Sequence, residues 1–254
     1  MIQYNKHDKY FNRNNCLLID NVLIDWSAKA GCTTVVQMVF KKLGILKLAL
    51  DYHPTGWVHD FRQERYYNMY KEHADETYFR SKDIIKMKFV RDPYARAVSS
   101  YIHMNRTRIQ SKLPVNSSFE LFLTLLRDQK VVFDPHWSYQ CRPNEINSIN
   151  NGRYIFNYVL KIEDLPTCLE SVKHIVDLEP IHYNKHHVSY TETENYEYAG
   201  DKPWDELRDN IPNPKNFYNE HTIQLVEDVY KHDITLYNYN HTKWLTPQSN
   251  NASS

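Results

Sequence analysis

Between Val22 and Leu43 the chain reads VLIDWSAKAGCTTVVQMVFKKL, and no other stretch restricts the fold as much. Val22, Leu23, Ile24 and Trp26 make a short apolar run that stops at Ser27. The turn Lys29-Ala30-Gly31-Cys32-Thr33-Thr34 follows, and then Val35, Val36, Val39, Phe40 and Leu43 recur at helical spacing. Strand, small-residue turn and helix is an arrangement that offers backbone N–H groups and a helix N-terminus to an anion. Lys29 adds a positive charge beside them. The stretch is a candidate phosphate-binding loop. Taken alone, it is also compatible with an ordinary strand–helix turn carrying a surface lysine.

The rest of the chain supplies what surrounds that loop. With 254 residues, 41% of them hydrophobic, it can bury a core of its own as one domain. The reading is a polar lead-in over 1–15, one domain over 16–245, and a polar, disordered tail over 246–254. Leu17-Leu18-Ile19 and Val22-Leu23-Ile24 flank Asp20-Asn21 and are expected to pair as a hairpin. A helix over about Thr33 to Leu43 ends at Gly44. Ile45–Tyr52 is read as a second strand, and Gly56–Arg80 as a loop and a helix over the site. Ile84–Val90 is the clearest parallel-type strand, and Asn157–Ile162 another, followed by a helix through about Val176. Ser118 caps a helix in Asn116–Arg127, Glu179–Pro203 is irregular, and Phe217–Tyr237 is a long amphipathic helix. Strands alternating with helices predict an α/β, P-loop-like single domain with a central, mostly parallel sheet flanked by helices.

Charge and cysteine content narrow the function classes. Lys+Arg 31 against Asp+Glu 31 gives a net charge of zero, so no global basic field of a general nucleic-acid binder is present. Any anion site must be local. Cys16, Cys32, Cys141 and Cys168 show no metal-type pairing and read as free or buried thiols, with a Cys141–Cys168 disulfide as the alternative. No run reaches the length of a membrane span, and Met1–Asn15 is polar, so no anchor or signal peptide is expected. Without a signal, the sequons at Asn105, Asn116, Asn240 and Asn251 read as chance matches.

A second motif sits where a ligand of such a sheet belongs. Arg91-Asp92-Pro93-Tyr94-Ala95-Arg96-Ala97-Val98-Ser99-Ser100-Tyr101 begins at the C-terminal end of a strand, and open α/β sheets bind ligands outside those ends. Arg91 can fork onto phosphate oxygens, and Ser99, two turns into the helix that Pro93 starts, adds a hydroxyl. Arg96 reads as structural, paired with Asp92 or another carboxylate. The first loop lacks the GxxxxGK[ST] pattern of nucleoside triphosphatases: its lysine precedes the glycine and its turn is shorter. That suits a terminal monophosphate, or a phosphate bearing a leaving group, better than a Mg²⁺–triphosphate.

Together, Lys29-Ala-Gly-Cys-Thr-Thr and Arg91-Asp-Pro-x-x-Arg-x-x-Ser-x-Tyr resemble the two nucleotide-binding signatures of carbohydrate sulfotransferases. The nearest kinds are the chondroitin/dermatan 4-O and HNK-1 types, with the heparan 2-O type related. Pro135-His136-Trp137 resembles that group's His-Trp element, Tyr158-Val-Leu-Lys-Ile-Glu-Asp-Leu its strand–Glu-x-Leu segment, and Phe217 to Tyr239 its C-terminal helix. The resemblance covers roughly residues 22–240. It departs in having Ala28 where a proline precedes the loop lysine, and in lacking the luminal anchor of the animal enzymes. The sequence by itself therefore implies a soluble, cytoplasmic protein, whereas the animal relatives are Golgi-luminal.

The resemblance implies transfer of a sulfuryl group from 3′-phosphoadenosine 5′-phosphosulfate to a hydroxyl of a carbohydrate or glycan, without a metal. Lys29 would stabilise the leaving bridging oxygen. Ala30, Gly31, Cys32, Thr33 and Thr34 would hold the 5′-phosphate, and Arg91 and Ser99 the 3′-phosphate. A histidine is apt as general base near neutral pH. His53 is the first choice, because Tyr52-His53 resembles the Tyr-His of heparan 2-O enzymes; His59 is the near alternative. His136 would take part in catalysis, bind the acceptor or support the site. His182, His186 and His187 read as structural, in a loop that closes over the nucleotide. Trp57 and Trp137 would stack on sugar or adenine, or pack. Two rival readings are a small-molecule kinase with a variant phosphate loop, and a non-catalytic glycan- or nucleotide-binding module.

Overall fold

The computed structural model describes residues 15–69, 81–107, 114–131, 134–150, 155–181, 190–191 and 197–245. The lead-in before residue 15, the tail from Thr246 and the histidines at 182, 186 and 187 lie outside them. Contacts divide the chain into two compact units, Met1–Arg91 with Ser138–Asn184, and Asp92–Trp137 with Lys185–Ser254. Each unit is assembled from two separated stretches, so no single boundary within 16–245 divides them. This is why the sequence shows no linker there.

The first unit carries the sheet. Strands β1 (Cys16–Ile19) and β2 (Val22–Trp26) pair antiparallel around the Asp20-Asn21 turn, where Asp20 adopts a positive φ of 51°. β2 then runs parallel to β3 (Ile85–Val90), and β3 parallel to β4 (Tyr158–Lys161), in the order β1-β2-β3-β4. The expected α/β class, with a mostly parallel sheet flanked by helices, is the one observed. Helix α1 (Cys32–Lys42) packs Val35, Val36, Val39 and Phe40 onto Ile24, Trp26, Met87 and Phe89. Helix α7 (Leu165–Val172) adds Leu169 and Val172 to the same core.

One expected strand is a helix. Ile45–Tyr52 contains helix α2 (Leu46–Asp51), not a strand. Gly44, at φ 71°, ends the α1 segment and turns the chain. The six residues LKLALD are mostly good helix formers, and they meet the core through buried Ala49 with the partly buried Leu46 and Leu50. A short apolar run does not distinguish the two states by itself. Helix α3 (Val58–Phe61) follows and continues through a π-helical turn at Arg62–Tyr66 to Tyr67–Met69. Helix α6 (Pro143–Asn150) precedes β4.

The second unit is helical. Helix α4 (Pro93–Thr107) opens on proline, with the Tyr94 N–H donating to Asp92 Oδ1 at 2.9 Å, as the sequence implies. Helix α5 (Phe119–Arg127) is capped by Ser118, and helix α8 (Trp204–Leu207) follows Pro203. Helix α9 (Glu220–Leu236) starts three residues later than expected, because Asn219 and Thr222 form a reciprocal capping box. Tyr101 is the hub of the core here, with Phe119, Phe122, Trp204 and Phe217 at ring distances of 5.6, 6.0, 5.8 and 6.0 Å. Among the described residues no helix is long and apolar enough to cross a membrane.

Candidate functional site

The turn after β2 leaves the start of a helix open. The Ala30 N–H donates to the Ser27 carbonyl at 3.1 Å, and Lys29 and Gly31 take left-handed φ values of 65° and 73°. Gly31 is required twice over: its φ favours glycine, and a Cβ there would lie 2.7 Å from Ile162 Cγ1. The first bond of α1 runs from the Val35 N–H to the Gly31 carbonyl at 3.0 Å. The N–H groups of Cys32, Thr33 and Thr34 therefore have no acceptor inside the helix. No side chain caps this end, and its first turn holds no acidic residue. The dipole and the open donors favour a bound anion. Lys41 and Lys42, in the last turn, complement the opposite end of the helix.

Besides Ile162, two polar side chains from elsewhere in the first unit reach this turn among the described residues. Arg91, one residue past β3, donates from Nη1 to the Lys29 carbonyl at 3.2 Å. The Lys29–Thr34 turn and Arg91, separate motifs in the sequence, are thus brought together. The second arrival is His59, buried on α3, whose Nε2 is 3.1 Å from Thr33 Oγ1. Beside it the half-exposed Trp57 ring meets the His59 ring edge-on at 5.9 Å. One turn on, buried Arg62 places its guanidinium over the Trp26 ring at 5.4 Å, and burial lowers its pKa from the ordinary arginine value.

His53 has different company. Its Nδ1 is 2.9 Å from Thr55 Oγ1 and 3.6 Å from Asp60 Oδ2, on an exposed turn. The segment before it, Ile45–Tyr52, was expected to be a strand and contains helix α2, so His53 follows a helix instead of a sheet end.

Ser99 and His136 belong to the second unit. Ser99 lies half-buried on α4, while its neighbour Ser100 donates to the carbonyls of Arg96 (2.8 Å) and His136 (2.5 Å). The His136 backbone N–H donates to Asp134 Oδ1 at 2.8 Å, and its Nδ1 is 2.6 Å from the same oxygen. Burial acts to raise the Asp134 carboxyl, but these two bonds and the nearby rings outweigh it and hold its pKa below the ordinary value. The His103 and His136 rings lie 4.2 Å apart. Arg96 is structural: it is fully buried, donates to the Pro135 carbonyl at 3.2 Å and faces the Tyr230 ring. Asp92, its expected partner, accepts from Trp244 Nε1 at 3.1 Å and pairs with Lys243 at 2.6 Å. Trp137 is buried against Phe122, so it packs instead of presenting a face for stacking.

A buried polar network under the sheet end had no signal in the sequence. Lys88 is fully buried in β3, in register with Asp25 of β2. Lys88 pairs with Glu145, and Arg142 pairs with Asp25. Burial pushes the Asp25 carboxyl up, against the pull of Arg142 and Lys88. Burial likewise pushes the nearby Cys16 thiol up to about 12. All four cysteines are free thiols, and among the described residues no group of His, Cys, Asp and Glu could hold a metal ion.

The model of one family, described as the Sulfotransferase family, matches residues 28–240 of the chain. No curated protein and no solved structure matches it significantly. The matched span begins one residue before Lys29 and takes in the Lys29–Thr34 turn, Arg91, all of α4 and all of α9.

Proposed function

The chain belongs to the sulfotransferase family, and on that premise we propose that it moves a sulfuryl group from 3′-phosphoadenosine 5′-phosphosulfate to a hydroxyl of a carbohydrate acceptor. The observation that carries the donor half is the open end of α1, where the N–H groups of Cys32, Thr33 and Thr34 have no acceptor inside the helix and follow directly on the left-handed Lys29–Gly31 turn. In this reading the N–H groups of Gly31 to Thr34 and the Thr33 hydroxyl hold the 5′-phosphate, with Ala30 completing the turn. The Lys29 ammonium stabilises the bridging oxygen. Arg91 takes the 3′-phosphate; for Ser99 the same role rests on the sequence motif.

The reaction is an in-line displacement. The acceptor oxygen forms a bond to sulfur as the bond from sulfur to the bridging oxygen breaks, and the electron pair leaves with 3′,5′-adenosine bisphosphate. Fixed donors aimed at the oxygen that gains charge are what lower such a barrier. The acceptor's proton goes to a histidine. Of the candidates, His59 is favoured over His53, because its ring is buried against the loop threonine while His53 is exposed and engaged with Thr55. His136 is assigned to the acceptor side. For the acceptor class, support comes from Trp57, whose half-exposed ring beside His59 offers a flat apolar face of the kind that packs on sugars.

Thermal shift separates the donor reading from a kinase. Stabilisation by 3′,5′-adenosine bisphosphate is expected, and stabilisation by ATP–Mg²⁺ alone would overturn the reading. Lys29→Ala is expected to lower kcat about 10²- to 10³-fold, the size found for removal of one charge-stabilising donor. A screen of sugar and non-sugar alcohols with labelled donor tests the acceptor, and transfer confined to non-sugar alcohols would remove the carbohydrate half.

A further inference from the structure

Arg91 stands just beyond the sheet. The β2–β3 pairing ends at Trp26↔Phe89 and the β3–β4 pairing at Val90↔Lys161, so at residue 91 both ladders have run out. The Arg91 N–H and C=O still need partners. One side chain supplies both: Gln140 Oε1 accepts from the Arg91 N–H at 2.8 Å, and Gln140 Nε2 donates to the Arg91 carbonyl at 2.6 Å. A primary amide carries a donor and an acceptor in one plane, and here it stands in for the peptide of a missing strand.

Gln140 is itself fixed. It is buried, and its backbone carbonyl accepts from Lys88 Nζ at 2.7 Å and from Ser27 Oγ at 3.2 Å. Lys88 is held by Glu145, whose carboxylate also takes the Arg142 N–H at 2.8 Å. Ser27 opens the anion turn, and the Arg91 side chain closes back onto the Lys29 carbonyl. Residue 140 thus ties together the first residue of the turn, the arginine, and through it the backbone of the lysine.

We propose that Gln140 is a positioning residue for the donor: by bracketing the Arg91 backbone it sets where the guanidinium stands relative to the Lys29 turn, and so sets recognition of the 3′-phosphate. The proposal rests on the donor reading above. It places no reacting atom on Gln140; the glutamine acts through Arg91.

The test compares two ligands by calorimetry, 3′,5′-adenosine bisphosphate and adenosine 5′-monophosphate, which differ only in the 3′-phosphate. Wild type is expected to prefer the bisphosphate, and if it does not, the donor reading fails before Gln140 is in question. Gln140→Met keeps the length and removes both bonds. It is expected to lower the preference about tenfold, the scale of a misaligned charged contact, while monophosphate affinity stays at the wild-type value. Turnover should follow, with donor KM raised and kcat at saturating donor held. An unchanged preference, or equal weakening of both ligands, would make Gln140 a packing residue only. Should Gln140→Met fail to fold, Gln140→Glu decides. It keeps an acceptor toward the Arg91 N–H, loses the donor, and is expected to reduce the preference less than Met would. A wild-type preference in Gln140→Glu overturns the proposal.

Discussion

The two units keep their interiors in order by different balances of charge and aromatic packing. Near the anion turn, the first unit buries whole charges: Lys88 and Asp25 face each other across β2 and β3, Glu145 and Arg142 complete the set, and Gln140 links it to Arg91. The second unit buries Arg96 and Asp92 as well, but its core is built mainly from rings and their neutral bonds. Tyr101 donates to the Ser117 carbonyl, Tyr230 to that of Trp137 and Tyr218 to that of Tyr94, at 2.9, 2.9 and 2.7 Å. Rings pack on area and tolerate small shifts. A buried ion pair tolerates little, since a displaced partner leaves a charge unsolvated. The difference shows where exact geometry is held: beside the Lys29–Thr34 turn, at a cost in desolvation.

Four substitutions sharpen or break that contrast. The largest effect is expected from Lys88→Met, which removes the charged partner of buried Glu145 while Asp25 keeps Arg142, and should cost about 3 to 5 kcal/mol in urea titration. Adding Glu145→Gln should return part of it, and a single-variant cost below about 1 kcal/mol would show that the charges do not constrain the unit. Next, Phe119→Ala in the aromatic core should cost about 3 kcal/mol through a cavity among Tyr101, Phe217 and Tyr218. Unlike the charged network, that site should recover most of the loss with Phe119→Leu.

Gly31→Ala comes third, at about 1 to 3 kcal/mol, from a left-handed alanine pressed on Ile162. Bisphosphate affinity should fall with it, and Ile162→Ala in the same chain should relieve the clash but not the backbone strain. The smallest effect concerns pH. Asp134 has a lowered native pKa, so its contribution is present above the ordinary aspartate range and is lost as pH falls through the lowered value. Asp134→Asn should therefore weaken the protein at pH 6 and converge with wild type in strong acid, a difference readable by thermal melts across pH.

Legibility followed the range of the interaction. Local signals survived folding: the hairpin at Asp20-Asn21, the Ser118 cap, Pro93 at the start of α4, and the Lys29–Thr34 turn are each decided within a few residues. Ile45–Tyr52 failed because its short apolar run suits a strand or a helix, and neighbours decide which. Gln140 was invisible for a different reason. A glutamine between Tyr139 and Cys141 has no pattern of its own, and its meaning comes from Arg91, 49 positions earlier. Ile84–Val90 was legible as a strand, but the burial of Lys88 was not, since it depends on Gln140 and Glu145, more than 50 positions away. His59 stood among 13 histidines, and only the fold separates it from His53 by giving it Thr33.

Lys29 carries a positive φ of 65° in addition to its charge, and these two demands pull against each other. Glycine or asparagine would relax the backbone and lose the ammonium; arginine would keep a charge and the strain while replacing a compact ammonium with a flat fork. If the ammonium acts on the bridging oxygen as proposed, no single replacement answers both needs, whereas Ala30 beside it is fully buried and is not among the residues with a positive φ.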